Sequence, residues 1–534
     1  MRKVMMTKCV LMMLTVLISA AMGYANNTYD ICIYGGNSAG VVAAYTAKKM
    51  GKSVVIIVPD GHIGGLSSGG LGQTDIGNKN AIGGLSREFY KQLGEVYGQD
   101  ESWKFEPKEA KRIFETYIKT ADIPVIYNQR IKKVNKKKAQ IKSVDLADTY
   151  GSDRTTQRIE AQVFLDCTYE GDLFAMAGVS YTVGREDNSV YKETLNGYQL
   201  AAYRKQSGYH QFPDGVNPYI VPGDPSSGLL PGISSGQANP TGTGDKLVQA
   251  YNFRICLTDS AENMIPITKP EGYDPKKYEL LVRLFEAQPN DRKINNYFIW
   301  SRMPNRKTDI NNRGAFSSNL IGGNHNWPEA SFAERKKIFE EHVAHVKGLL
   351  YFYVSDERVP KELQDFVKNW GYPKDEYVEH GHFTPQLYVR EGRRMIGEYV
   401  MTEHNCRSKE VITDPIGMAA YTMDSHNVQR IVVNGMVKNE GNVEVGKFPP
   451  YPISYRSITP KAKECTNLLV PVSLSASHIA FGSIRMEPVF MILGQSAAVA
   501  AVQAIDTNKA VQNIDYDKLR SELIKQEQVL GIAK

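Results

Sequence analysis

The first clear pattern along the chain is a short, mostly apolar run, Tyr29-Asp30-Ile31-Cys32-Ile33-Tyr34, which predicts a buried parallel strand. Gly35-Gly36-Asn37-Ser38-Ala39-Gly40 follows as a turn. Val41 to Met50 then places small residues, Ala43, Ala44 and Ala47, on the side that would face a sheet, and Gly51 stops that helix as a left-handed cap. Ser53 to Val58 is a second apolar strand. Strand, turn, helix and strand within about 30 residues make a βαβ unit. Further on, the pattern predicts an apolar strand at Val163-Phe164-Leu165-Asp166-Cys167-Thr168 and loop from Pro222 to Gly244. It predicts helices around Pro275–Glu286 and Ser331–Tyr351, a small-residue helix beginning at Gly494, and an amphipathic helix from Tyr516 to Gln528.

The 534 residues are too many for one core, so two or three units are expected. Arg2, Lys3 and Lys8 form a basic start. Cys9 to Met22 is apolar, and Ala21, Gly23 and Ala25 offer a cleavage site. That is the signature of a secretory signal, with an uncleaved anchor helix as the alternative. It predicts an exported protein, periplasmic or secreted. No later segment reaches roughly 20 apolar residues, so no membrane span is expected in the mature chain. A net charge of +6 is small and gives no reason to expect nucleic acid as a partner. The one dense basic run, Lys132, Lys133, Lys136, Lys137 and Lys138, reads as a solvated hairpin. The six cysteines form no C-x-x-C pair, so neither a metal site nor an iron–sulfur cluster is expected.

The glycine turn carries the first chemistry. A pyrophosphate needs backbone N–H groups at a helix N-terminus and glycines that let the backbone approach. Gly35 can make the tight turn and Gly40 can let helix and strand pack, with Gly36, Ser38 and Ala39 between them. The middle glycine of G-x-G-x-x-G is Asn37 here, a residue that tolerates unusual backbone angles. Val58 stands where a ribose-binding acid is usual, and Asp60, two residues on, is the candidate substitute. A structural glycine turn in another α/β fold is the competing reading of this turn alone. The loop from His62 to Gly72, with Gly64, Gly65, Leu66 and Gly70, suits a flat ligand. Asp166, Thr168, Gly171 and Asp172 mark a strand end, where ligands bind in such sheets. Gly494-Gln495-Ser496 would open a helix whose dipole stabilises negative charge on a bound cofactor.

In these blocks the chain resembles the secreted bacterial FAD-dependent oxidoreductases of the glutathione-reductase-like superfamily. The likeness is to the group related to the FAD subunit of heterodisulfide reductase, some members of which carry the label "xanthan lyase". Its marks are Tyr34 to Val41, Gly64-Gly65 through Gly72-Gln73-Thr74-Asp75, and Asp166 to Asp172. Others are Tyr388-Val389-Arg390-Glu391-Gly392-Arg393-Arg394-Met395, Met423-Asp424-Ser425-His426-Asn427, Ser477-His478-Ile479-Ala480 and Arg485-Met486-Glu487-Pro488. The resemblance implies FAD as cofactor and an α/β fold: a three-layer, Rossmann-like FAD-binding domain on a parallel sheet, with an inserted α+β cap. The expected division is a signal peptide at 1–25, FAD-binding halves at 26–190 and 455–534, and a cap or substrate domain at 191–454. The implied reaction is hydride transfer between a small organic or carbohydrate substrate and FAD, with an unidentified electron acceptor. Two alternatives stand beside it: a flavin-containing polysaccharide lyase, and a non-enzymatic carbohydrate-binding protein on a degenerate flavin fold.

Such a reaction needs a base or acid beside the hydride acceptor. His426 and His478 are the candidates, each also readable as a hydrogen-bonded core residue. Arg390, Arg393, Arg394 and Arg485 can orient a carboxylate, a phosphate or the flavin, or form internal ion pairs with Glu391 or Glu487. Trp300, Trp327, Tyr351, Tyr353 and Trp370 suit stacking on sugars or packing in a core.

Overall fold

A computed structural model describes residues 27–200 and 210–531. The expected signal segment and its cleavage site up to Ala25 lie outside the described residues. Strand β1 (Thr28–Tyr34) leads into helix α1 (Ser38–Lys49) and strand β2 (Val54–Val58). Helices α2 (Gly84–Val96) and α3 (Pro107–Thr120) precede four strands: β3 (Val125–Tyr127), β4 (Gln129–Lys137), β5 (Gln140–Asp148) and β6 (Gln157–Asp166). These strands form one sheet in the order β3-β2-β1-β6-β5-β4, with the Leu468–Leu469 strand also paired to β6. Pairing is parallel through β3, β2, β1, β6 and Leu468–Leu469, with Ile33 opposite both Ile56 and Leu165. It is antiparallel through β6, β5 and β4. The sheet is therefore mixed rather than wholly parallel. The lysine run lies in the β4–β5 hairpin.

The period of two along β1 and β2 sorts their side chains onto two faces. Ile31, Ile33, Val54, Ile56 and Val58 pack under α1, α2, α3 and helix α6 defined below. Cys32, Tyr34, Val55 and Ile57 pack instead with Ile131, Val144 and Leu146 of the antiparallel strands, so the third layer is β rather than helical. A second core is built from residues between Phe212 and Val389, joined by Val437. It includes helix α4 (Phe332–Ser355), which Ser331 and Glu334 start with a reciprocal capping box. These residues fall in the segment expected to form the inserted domain, and that name is kept for them below. Met401, Ile416, Met423, Tyr451 and Ile453 pack in the first core.

The chain returns through α5 (His478–Ile484), α6 (Glu487–Thr507) and α7 (Tyr516–Lys525). Helix α6 has the length and composition of a membrane span, but 89% of its apolar window is buried inside the protein, which makes it a core helix. It starts at Glu487, seven residues before the expected start. Gly494, Gln495 and Ser496 therefore lie in its interior, where a Cβ on Gly494 would stand 2.4 Å from the Ala39 carbonyl oxygen. That glycine lets α6 close against α1. The side chains of Gln495 and Ser496 bond Leu85, Gln526, Gln528 and Ile416.

Candidate active site

At the C-terminal ends of β1, β2 and β6 lies a 260 Å³ cavity lined by Gly35, Gly36, Asn37, Asp60, Gly65 and Thr168 among others. β1 is where the strand order reverses, the position at which open α/β sheets bind ligands. Two glycines there are sterically obligatory. Gly35 has φ +109°, and a Cβ on it would lie 2.8 Å from the Cys167 carbonyl carbon; a Cβ on Gly40 would lie 2.0 Å from the Gly35 carbonyl oxygen. Asn37 does not use an unusual backbone angle, contrary to the expectation for that position. Its φ is −71°, and it acts as the N-cap of α1, its Oδ1 accepting from the Gly40 N–H at 3.0 Å. Its amide nitrogen donates to the Cys167 carbonyl. The Ser38 and Ala39 N–H groups have no acceptor within the helix. Val58 packs on Gly36, and Asp60 lines the same cavity one turn of chain later. Backbone donors at a helix N-terminus, a glycine floor and an acid beyond β2 fit the pyrophosphate and ribose of FAD.

Other residues near this cavity are occupied by the protein. Asp166 accepts from the Thr168 N–H and hydroxyl and from the Phe174 N–H, and burial pushes its carboxyl up to about 6. Asp172 is gripped by Arg335 at 2.6 and 2.9 Å and by Arg393 at 2.7 Å. Gly171, at φ +71°, turns the chain between them. Glu170 is a lining residue that its block did not single out. Burial raises its carboxyl to about 7, and Trp327 donates to it at 3.2 Å.

The glycine loop leads to a second group of polar side chains. Gly64 and Gly65 have positive φ and start a single helical turn, Gly65–Ser68. Gly70, at φ +121°, runs so close to the inserted domain that a Cβ would stand 2.2 Å from the Arg254 carbonyl oxygen. Leu66 and Leu71 pack against Tyr388. On Tyr388 converge two guanidinium groups, Arg390 at 4.5 Å and Arg485 at 5.6 Å from the ring centre. Arg485 donates to the Tyr388 hydroxyl at 2.6 Å and pairs with Asp424 at 3.1 Å, not with Glu487. Arg390 donates only to neutral acceptors: the carbonyl of Ala250, Asn319 Oδ1 and Asn252 Oδ1. Its Nε is buried without a partner. Burial, with Arg485 and Arg254 nearby, pulls it down to about 9. His426 sits between these groups. Its Nδ1 meets Asn319 Nδ2 at 3.2 Å, and its Nε2 stands 3.6 Å from Asp424 Oδ2. Burial and the Arg390 charge keep its ring below the usual histidine value, hence neutral.

The two candidate histidines part company here. His478 has both nitrogens taken, Nδ1 by Glu391 at 2.7 Å and Nε2 by the Ser425 hydroxyl at 2.9 Å. Burial and the charge of Arg394 push it down to about 3. Arg394 is fully buried, pairs with Glu391 and with Glu186, and donates to the carbonyls of Gly184 and Ala476. Together they tie the 388–394, 423–427 and 477–485 segments to one another and hold Arg390 and His426 in place. Glu487, at the start of α6, accepts hydroxyls from Ser38, Ser67 and Tyr169.

Several contributors escaped the sequence patterns. Arg254 binds Asp309 at 2.7 and 2.5 Å and Asp75 at 3.4 Å, locking the glycine loop to the inserted domain. Its only signal is a single charge inside the apolar run Tyr251 to Leu257. Asn319 and Asn252 carry none. The five described cysteines are buried and free. One trio of carboxylates, Glu106, Asp375 and Glu376, has metal-like spacing, but the Lys307 ammonium sits among them at 2.7, 2.8 and 2.6 Å. Trp300, Tyr353 and Trp370 are packed in the second core, and Trp327 borders the first cavity.

A family model described as FAD dependent oxidoreductase matches residues 30–523. No curated protein matches at a significant level. Among solved structures, Thermovibrio ammonificans THI4 aligns at 17% identity over 36% of this chain and 79% of that chain, with TM-score 0.24. L-amino acid deaminase from Proteus vulgaris aligns at 13% identity over 30% of this chain and 53% of that chain, with TM-score 0.24. L-proline dehydrogenase from P.horikoshii aligns at 16% identity over 30% of this chain and 58% of that chain, with TM-score 0.24. The chain thus spans little more than half the length of the last two.

Proposed function

The chain belongs to the FAD-dependent oxidoreductase family, and from that premise we propose that it oxidises a small organic or carbohydrate substrate held between the glycine loop and the inserted domain. FAD, when bound, supplies the hydride acceptor. Gly35, Gly36, Asn37 and the N-terminus of α1 would hold its pyrophosphate, and Asp60 its ribose. The observation that carries the reading is the convergence of Arg390 and Arg485 on Tyr388, beside Leu66 and Leu71 of the glycine loop, with His426 joined to the two arginines through Asn319 and Asp424. Among the described residues Arg390 makes no direct ion pair, Asp424 acting on it only at longer range, and so offers its charge to a substrate oxygen. His426 is neutral and able to take a proton from a substrate hydroxyl or amine as the hydride departs. Asp424 faces the ring and stabilises the charge that His426 then carries. Export to the periplasm or beyond belongs to the same reading, supported by the basic start and the apolar run Cys9 to Met22.

The test is anaerobic reduction of the purified yellow protein by a panel of sugars, alcohols, amines and acids. We expect one class to bleach the flavin. His426→Ala should keep the colour and slow bleaching by roughly 10²–10⁴-fold. A wild-type rate per bound flavin in that variant would remove His426 from the reaction. Mass spectrometry of the protein from its own host should find a mature start between Gly23 and Asn27; an intact Met1 in a soluble cytoplasmic fraction refutes export.

A further inference from the structure

The inserted domain contains a 580 Å³ chamber that the reaction just described does not use. Its volume falls in the range of roughly 300–1,000 Å³ typical of small-molecule sites. Arg430, Asn319, Lys277, His325 and Gln429 line it. Arg430 is 4% exposed. It donates from Nε to Asn439 Oδ1 at 3.0 Å and from Nη2 to the Ala315 carbonyl at 3.2 Å, and it lies between the rings of Phe212 and Phe316. Among the described residues it makes no ion pair. Its Nη1 reaches the chamber wall, 3.2 Å from where a Cβ on Gly232 would stand. Glu341 also lines the chamber but does not pair with it. The contrast with the scaffold arginines is sharp: Arg185, Arg254, Arg335 and Arg394 are each buried and each paired with a carboxylate. A buried guanidinium without a counter-charge is costly. A planar fork of that kind is satisfied best by a carboxylate, which takes two parallel hydrogen bonds.

The chamber also has a direction. Asn319, on its wall, accepts from Arg390 at 3.1 Å and touches His426 at 3.2 Å. A molecule anchored at Arg430 therefore extends toward the reacting groups through one shared residue. We propose that this chamber is a carboxylate-anchoring substrate subsite: Arg430 binds the acid group of a small organic acid or an acidic sugar, whose oxidisable carbon is presented at the Asn319 end. The assignment rests on the oxidoreductase reading above and names the substrate class of that site.

Calorimetric titration of the FAD-loaded protein with D-glucuronate, succinate and D-glucose tests it. A carboxylate should bind at least about 10-fold more tightly than the neutral sugar. Binding of glucuronate without succinate identifies an acidic sugar, and the reverse a simple acid; either supports the subsite. Arg430→Gln should weaken carboxylate binding by roughly 10- to 100-fold at unchanged flavin content. Ser234→Asp should act likewise if Arg430→Gln does not fold. Ser234 is exposed on the chamber wall, so the new carboxylate puts a negative charge there that repels an incoming acid. Glucose binding as tightly as the better of the two carboxylates, no carboxylate binding to flavin-loaded wild type, or wild-type binding in the folded variants would overturn the proposal. A wild-type protein without FAD would sink the functional reading instead, which the flavin spectrum of the same sample reports separately.

Discussion

Replacing Gly40 with alanine sets two effects of opposite sign against each other. Gly40 is inside α1 and its φ is not positive, so helix propensity alone favours alanine by about 1 kcal/mol. The added Cβ would stand 2.0 Å from the Gly35 carbonyl oxygen and 3.1 Å from its carbonyl carbon. Ordinary Cβ contacts begin near 3.4 Å, so the Gly35 carbonyl and the start of α1 must separate by more than 1 Å. The obstacle is backbone, which cannot rotate aside as a side chain would. Over-packing of this kind costs about 1–3 kcal/mol, enough to reverse the propensity gain. The same shift withdraws the Ser38 and Ala39 N–H groups from the pyrophosphate. Each charge-assisted hydrogen bond lost is worth about 1.5–3 kcal/mol, so FAD affinity should fall by at least roughly 10-fold. The assay is FAD titration of the apoprotein with a thermal melt on each sample. Gly178→Ala is the control, since Gly178 has φ +72° with nothing within 4 Å and so reports backbone strain without a clash. A Gly40→Ala protein that melts higher and binds FAD as tightly as wild type would show that this turn does not hold the pyrophosphate.

Three further outcomes follow from the geometry. His478→Gln should lower stability and loosen flavin, with near-normal reduction rate per bound flavin, because the ring joins Ser425 to Glu391; loss of rate with full stability would make it a reacting group. Acid should destabilise the fold below pH 6.5. His62, His342, His345, His426 and His478 are all held neutral down to about 3 or 4, so the unfolded chain binds these protons first and stability falls as pH drops through that window, the raised carboxyls of Asp166, Glu170 and Glu376 offsetting only part of the loss. Urea midpoints that stay flat between pH 7 and 5 would contradict it. Lys307→Met strips the ammonium from Glu106, Asp375 and Glu376 and should cost about 3–5 kcal/mol, partly recovered at low pH as Glu376, already raised to about 7, takes a proton; calorimetry at two pH values decides.

The legible part of this protein is the part written in local pattern. β1, the glycine turn, α1 and β2 span residues 28–58, and each is set by neighbours a few positions away. The strand ending at Asp166 was legible for the same reason. The start of α6 was not. Gly494, Ser496 and Ala497 resemble the beginning of a small-residue helix, while the residues before them, Glu487-Pro488-Val489-Phe490, carry the better start signal, a proline in the first turn. Small residues there answer to close packing on Ala39, a contact more than 450 positions away in sequence. The β4–β5 hairpin is legible in its lysine run, but its packing as a layer on the sheet is not, because the lysines obscure an alternation that buries Ile131 and Val144.

Pairing, not residue type, separates the arginines of the site from those of the scaffold. Arg390, Arg393, Arg394 and Arg485 were equivalent candidates while only their sequence blocks were considered. In the fold, Arg393 and Arg394 meet carboxylates, at Asp172 and Glu329 and at Glu186 and Glu391, and so belong to the frame. Arg485 shares Asp424 with His426 and is half committed to the site. Arg390 has carbonyl and amide oxygens alone, and Arg430, which no sequence block marked, is bonded in the same way. A folding protein gains nothing from burying a cation it does not neutralise. The two such cations in this site both have Asn319 close by, through Arg390's hydrogen bond and through the chamber that Arg430 lines. Stability alone would have paired or removed them, so the charge is retained for an anion that arrives from outside, and the path between the two arginines is the line along which that anion's carrier is held.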